Sequence, residues 1–195
     1  MNFYYICTMR PQKILDTDMI SGLTNVFRDK GYEGASLNDL AEVTGLKKAS
    51  LYHRFPNGKQ EMAECVLNTI DQWVDDNIFH PLIDENKPAK LRLKDALKNI
   101  EILYDSGKNT CVLRAFSMHG GISLFQQQIK SGMDKWISAF NTLGSSLQLT
   151  SAESQQNAVQ TLIELQGSLI VTKGLADTSI FKNTLKNIEK RYSKE

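Results

Sequence analysis

Apolar residues recur every three or four positions along nearly the whole chain, and runs that alternate apolar and polar residues are almost absent. Such spacing places side chains on one face of a helix, whereas a half-buried strand repeats every second residue. A first helix is predicted from about Pro11 to Gly31, with an inward face formed by Ile14, Leu15, Met19, Leu23, Val26 and Phe27. The pattern therefore predicts an all-α fold.

Two short helices joined by a glycine turn are predicted next. Ser36 suits the N-cap of the second helix, and Asp39 three residues later gives a weak form of the capping box. This helix ends near Gly45, and a third helix covers about residues 47–54, because Pro56 disfavours the α conformation of the residue before it. A capped helix, a glycine turn and a second helix at this spacing are typical of a helix-turn-helix, whose second helix enters the major groove of DNA.

The rest of the chain is also predicted to be helical. A longer fourth helix begins near Asn57, ends at Pro81 and has an apolar stripe formed by Met62, Val66, Leu67, Ile70, Trp73, Val74 and Ile78. Further helices are predicted from Pro88 onward, over residues 122–143, from a capping box at Thr150 and Glu153 to about Gly174, and over residues 178–192. The pattern leaves residues 111–118 open between helix and loop.

Charge is distributed locally rather than globally. The chain has 23 basic and 22 acidic residues, so its net charge of +1 gives no general affinity for nucleic acid. Residues 44–60, however, include no acidic residue and four basic ones, Lys47, Lys48, Arg54 and Lys59. This local excess predicts contact with phosphate groups around the third helix.

Catalytic, metal and membrane functions find little support in the sequence. Cys7, Cys65 and Cys111 are far apart, which favours a reducing cytoplasm over a disulfide framework or a metal site. Cys111 and His119 lack a third residue at a spacing suited to a catalytic triad or a zinc site. No apolar run approaches the roughly 20 residues of a membrane span, and the apolar start lacks the features of a signal peptide. We therefore expect neither an enzyme nor a cofactor.

The region around the predicted helix-turn-helix resembles the tetracycline-repressor (TetR) family of bacterial regulators. The resemblance covers about the first third of the chain. Family members have a glycine and tyrosine near the end of the first helix, a hydroxyl residue opening the second, a leucine–tyrosine–X–X–phenylalanine run in the third and a lysine opening the fourth. The corresponding residues are Gly31, Tyr32, Ser36, Leu51, Tyr52, Phe55 and Lys59.

The resemblance implies how the motif meets DNA. Ala49 and Ser50 are expected near base edges, and Tyr52 and His53 resemble the phosphate-contacting pair of the family. Ser36 either contacts a phosphate or only caps its helix. The full set of expected DNA contacts is Ser36, Lys47, Lys48, Ala49, Ser50, Tyr52, His53 and Lys59.

The resemblance also implies two domains with different functions. Residues 10–57 are expected to form the DNA-binding domain and residues 58–195 an effector-binding and dimerisation domain, with a loose arm or a misassigned start at residues 1–9. The implied protein is a homodimer, joined through its last two helices, that represses from a palindromic double-stranded operator.

A small-molecule effector of unknown identity is expected to release that repressor. The candidate effector-binding residues are Trp73, Tyr104, Cys111, Arg114, Phe116, Met118, His119, Phe125 and Gln166. Each has ordinary core packing as its alternative role. Two other readings stay open: a constitutive DNA-binding protein without an inducer, and an all-helical enzyme in which the motif is a coincidence. A filled central core favours the constitutive protein, and a cavity with a few polar groups favours the ligand-responsive one.

Overall fold

The computed structural model describes residues 16–118 and 120–193, within which the regular secondary structure is entirely helical. The α-helices are α1 (Asp16–Gly34), α2 (Leu37–Thr44), α3 (Lys48–Arg54), α4 (Lys59–Val74), α5 (His80–Ile83), α6 (Ala89–Leu103), α7 (Val112–Phe116), α8 (Gly120–Ser146), α9 (Ser151–Leu175) and α10 (Ser179–Ser193). The all-α prediction is confirmed. The proposed arm at residues 1–9 and the predicted helix start at Pro11 lie outside the described residues. None of the described helices combines the length and apolarity of a membrane span.

The local chemistry of α2 is as predicted. The Ser36 hydroxyl accepts the backbone N–H of Asp39, and the Asp39 carboxylate accepts the backbone N–H of Ser36, which together form a complete capping box. Gly45 ends the helix with φ 62° and ψ 13°, a left-handed conformation that glycine adopts without strain. Because α3 begins three residues later, the two helices are held in a tight, fixed turn.

The fourth helix does not end at Pro81, and this prediction is wrong. A π-helical turn over Asp75–Phe79 joins α4 to α5, which contains Pro81 in its first turn. The wider turn accommodates a proline that has no N–H to donate to Asn77 O and whose ring crowds that carbonyl. Asn99 Nδ2, on α6, donates to the freed Asn77 O at 2.6 Å. The helix therefore continues because a distant side chain replaces the missing backbone donor.

The apolar side chains form two clusters. The larger cluster lies among α4, α6, α8, α9 and α10, and the smaller one lies among α1–α4 together with α7 and α8. In the smaller cluster, the Phe27 ring lies 5.2 Å from Phe116, and the Tyr32 ring lies 5.2 Å from Phe125. Helix α1 is thus packed directly against α7 and α8. The domain boundary between residues 57 and 58 stays a prediction.

The C-terminal helices pack closely through small residues and one ion pair. A Cβ at Gly144 on α8 would lie 2.8 Å from Ser154 Oγ on α9, so the glycine permits this close approach. Arg191 on α10 donates two hydrogen bonds to the carboxylate of Glu164 on α9, at 2.7 and 2.8 Å, and lowers the pKa of that carboxyl. These contacts fix the inner face of α9 and leave its opposite face uncovered.

Candidate nucleic-acid interface and central cavity

Helix α3 has an apolar inner side and a polar outer side. Leu51 is fully buried, and Phe55, which follows the helix, is 7% exposed. A seven-residue helix is marginal in isolation, so these two anchors hold its conformation. Six of the residues expected to contact DNA are exposed on the other side: Lys47, Lys48, Ala49, Ser50, Tyr52 and His53.

The start of α3 is electropositive. Lys47 occupies the N-cap without a side-chain cap, Lys48 opens the helix, and the first turn contains no acidic residue. The unsatisfied N–H groups of a helix start carry partial positive charge, to which both lysines add. The arrangement suits phosphate oxygens and base acceptors.

Ser36 is committed to its own helix. Its hydroxyl donates to Asp39 Oδ2 at 2.7 Å while it accepts from Asp39 N at 3.2 Å. Lys30 lies 2.6 Å from the same carboxylate and, with Ser36, lowers the pKa of Asp39 to about 2. The geometry therefore accounts for Ser36 as a capping residue, and its phosphate contact stays a prediction.

Lys59 is tied to the end of α1. Its Nζ donates to Tyr32 O at 2.9 Å and to Ala35 O at 3.2 Å, and it lies 4.5 Å from the centre of the Tyr32 ring. These carbonyls are available because α1 ends at Gly34 and the last carbonyls of a helix have no N–H partner within it. An ammonium group has three donors, so one remains for a phosphate. The phosphate role of Lys59 stays a prediction beside this tethering role.

Replacing Lys59 by methionine is expected to lower the free energy of unfolding by about 1 to 2 kcal/mol, because two half-buried carbonyls lose a charged donor. Urea denaturation followed by circular dichroism measures the change. Lys98→Met, at an exposed position of α6, is the matched control. Equal stability of the two variants would contradict the tether.

A cavity of about 440 Å³ lies between α1, α4, α6, α7 and α8. This volume is within the range of small-molecule sites. Two of the predicted effector-binding residues, Tyr104 and Cys111, line it. Burial raises the pKa of Tyr104 well above its usual value, and Cys111 adds to this increase. Gln166, a third predicted effector-binding residue, does not line the cavity.

The first helices match a known family. Residues 20–66 fit the family model described as "Bacterial regulatory proteins, tetR family". These helices are therefore similar to the N-terminal region of TetR-family regulators. The resemblance predicted from the residues around α2 and α3 is confirmed.

Curated relatives match a little under a third of the chain. HTH-type transcriptional regulator LmrA of Bacillus subtilis is 34% identical over 56 residues, which are 29% of this chain and 30% of that protein. The negative regulator of the biofilm operon icaADBC, IcaR of Staphylococcus epidermidis, is 32% identical over 57 residues, 29% of this chain and 31% of that protein. The match spans about a third of the length of each of these relatives.

Solved structures extend the likeness in fold to nearly the whole chain. A TetR regulator from Legionella pneumophila has a TM-score of 0.76 at 19% identity, over 92% of this chain and 98% of that one. The regulator CifR, solved with a 26-bp double-strand operator DNA, has a TM-score of 0.69 at 18% identity, over 94% of this chain and 98% of that one. At such identities the likeness shows the fold.

Several predicted effector-binding residues lie away from the cavity. Phe116 and Phe125 are buried in the cluster beside α1, because their helices face the DNA-binding end. Trp73 lies in a separate shallow groove on the outer side of α4, and Arg114 lies in another beside α9. Met118 is 50% exposed in the turn after α7. His119 lies outside the described residues.

Other cavity residues were missed by sequence reasoning. Arg28 of α1 lines the cavity. The sequence contains one indication of this, because Arg28 directly follows Phe27, a residue of the apolar face of the helix. The remaining polar lining residues are Asn68, Asp71, Gln127, Gln128 and Ser131. The sequence did not indicate these residues as part of a cavity, because polar positions of a helix are expected to face solvent. They become neighbours only where α4 and α8 pack together.

Proposed function

We propose that this chain is a cytoplasmic transcriptional repressor that binds a palindromic operator as a homodimer and is released by a small molecule. The observation that carries the proposal is the orientation of α3. Leu51 and Phe55 are buried, and Lys47, Lys48, Ala49, Ser50, Tyr52 and His53 are exposed on the other side of this short helix. We propose that the helix enters the major groove, where Ser50 contacts a base edge and Tyr52 contacts a phosphate.

The repressor class is supported by the relatives. IcaR is a negative transcriptional regulator, and the CifR structure contains operator DNA. LmrA is also a transcriptional regulator. These proteins are regulators rather than enzymes, which favours the non-enzymatic reading for this chain.

The homodimer is supported by an apolar stripe along the outer face of α9. Ile163, Ile170 and Leu175 are 58, 54 and 69% exposed. Gly167 and Gly174 lie on the same stripe, and nothing within 4 Å would meet a Cβ at either position. An exposed apolar stripe with small residues allows a second helix to approach closely. We propose that the stripe packs against a second copy, with α10 completing a four-helix bundle.

The effector function is supported by the central cavity. A constitutive DNA-binding protein needs no such space, whereas a ligand site is a mostly apolar cavity with a few placed polar groups. A ligand that binds one arrangement of the dimer better than the other shifts its operator affinity by that difference. The cavity therefore favours the ligand-responsive reading.

Selection of genomic fragments by the purified protein tests the proposal. We expect one enriched palindromic sequence whose half-sites lie about one helical turn apart or somewhat more. No enriched sequence, together with no binding to duplex DNA at low ionic strength, would overturn the proposal.

Ser50→Ala is expected to change sequence preference rather than general affinity. Loss of its hydroxyl should alter discrimination at one base-pair position of each half-site by about tenfold, while binding to unrelated duplexes stays the same. Competition binding with operators altered at single positions measures this. An equal loss on every duplex would argue against base contact by Ser50.

A further inference from the structure

The central cavity contains a cation, Arg28, that has no counter-ion in the part of the chain that the structure describes. Arg28 and Asp71 are its charged lining residues. Asp71 is ion-paired, because Lys135 Nζ donates to its Oδ2 at 2.7 Å and also to Asp75 Oδ2 at 2.8 Å. Arg28, by contrast, forms no ion pair with a carboxylate within residues 16–118 and 120–193. Of the two charged side chains that line the cavity, Arg28 is therefore the one without an ion-pair partner in the described chain.

The guanidinium of Arg28 is also poorly hydrogen-bonded. One Nη2 contact to Leu103 O, at 3.5 Å, is long, and Nε is buried without a partner. Burial lowers the pKa of Arg28, yet a guanidinium stays protonated in proteins. A buried charge without compensation is costly, and proteins normally pair it with an anion. The site thus has donors ready for an oxyanion.

The remaining wall is apolar in the middle and polar at the mouth. The apolar residues include Leu67, Ile70, Val74, Phe79 and Trp136. The exposed polar ones are Asn68 on α4 and Gln127, Gln128 and Ser131 on α8. A ligand with one charged group and an apolar body matches this distribution.

We propose that the effector is a small amphipathic monoanion, the carboxylate of an apolar acid, whose head group is bound by Arg28. The inference rests on the proposed function in treating the cavity as the effector site. The planar fork of a guanidinium matches a carboxylate with two parallel hydrogen bonds. One unpaired cation balances a single negative charge, which favours a carboxylate over a phosphate dianion.

Binding at Arg28 would act directly on the DNA-binding helices. Arg28 follows Phe27, whose ring packs against Phe116, and the Glu33 carboxylate at the end of α1 accepts the N–H of Gly120 at 2.9 Å. An anion bound between Arg28 and the cavity walls therefore links α1, the helix that precedes α2, to α4 and α8. Its binding selects one orientation of α1.

The test compares head groups on matched ligands with the full-length dimer. Octanoate is compared with 1-octanol and octylamine, and 1-naphthoate with 1-naphthol, by isothermal titration calorimetry without DNA. We expect at least one carboxylate to bind roughly tenfold tighter than its alcohol and octylamine to bind more weakly than either. Arg28→Gln should remove the carboxylate preference. Arg114→Gln, outside the cavity, should keep the preference.

Two results would overturn the inference. One is equal binding of both carboxylates and their alcohols to the unaltered protein, a comparison that does not depend on any variant folding. The other is a carboxylate preference that survives in folded Arg28→Gln. The inference is also overturned if Arg28→Gln loses thermal stability while the unaltered protein shows no preference for carboxylates. In that case Arg28 serves only to bind Leu103 O at the end of α6. The two proposals fail in different experiments. These titrations contain no DNA, so a negative result would overturn the carboxylate effector and not operator binding, whereas a protein that binds no duplex would refute the proposed function.

Discussion

Replacing Ile170 by arginine is expected to convert the dimer into monomers and to lower operator affinity by roughly a hundredfold or more. Ile170 lies in the middle of the apolar stripe of α9 and is 54% exposed in the single chain. An arginine there places an unpaired charge in the proposed helix–helix contact. Two recognition helices on one dimer bind two half-sites together, and this gain is lost when the copies separate. Sedimentation velocity and fluorescence anisotropy with the selected operator measure the two effects.

The matched control is Ile102→Arg. Ile102 is 58% exposed on α6, away from the stripe, so the same substitution should leave the dimer and its operator affinity unchanged. A folded Ile170→Arg variant that remains dimeric and binds the operator normally would refute the proposed interface.

The double variant Lys47→Ala and Lys48→Ala is expected to weaken binding to all duplexes by roughly a hundredfold or more at low ionic strength. Both lysines are exposed at the start of α3. In a dimer the variant removes four positive charges, so the slope of log affinity against log salt concentration should fall in magnitude by about four. Anisotropy titrations over a series of salt concentrations give both quantities.

Lys94→Ala with Lys98→Ala is the corresponding control. These two lysines are exposed on α6, so the net charge changes equally while α3 is untouched. If this variant lost as much affinity and as much salt dependence, general electrostatics rather than the start of α3 would account for DNA binding.

Local chemistry explains which elements could be predicted from the sequence. The capping boxes at Ser36 and Thr150 each involve two residues three apart, so sequence alone identified both helix starts. The glycine turn at Gly45 and the outward position of Ser50 follow from equally short spacings. Such features need no knowledge of how the helices pack.

Features that depend on the packing of distant helices could not be predicted from the sequence. A proline normally ends a helix, but Pro81 is tolerated because Asn99, 18 residues later in the chain, donates to Asn77 O, and only the packing of α6 on the π-helical turn reveals that. The carbonyls that hold Lys59 likewise meet its ammonium group only because α4 packs against the end of α1.

The cavity shows the same limit. Residues from five helices line it, and apolar periodicity does not distinguish a residue that faces a cavity from one that faces a filled core. Tyr104 and Cys111 were therefore predicted together with Phe116 and Phe125, which pack against α1 instead. Arg28 stands out only in the folded structure, where its buried Nε has no hydrogen-bond partner among the described residues.

Chemical interference on the selected operator tests most directly whether α3 occupies the major groove. Methylation of guanine N7 and replacement of thymine by uracil change only the major groove, whereas methylation of adenine N3 changes the minor groove. The account predicts that the two major-groove changes block binding within both half-sites and that adenine N3 methylation there has no effect. Interference confined to adenine N3, or none from either major-groove change, would contradict it.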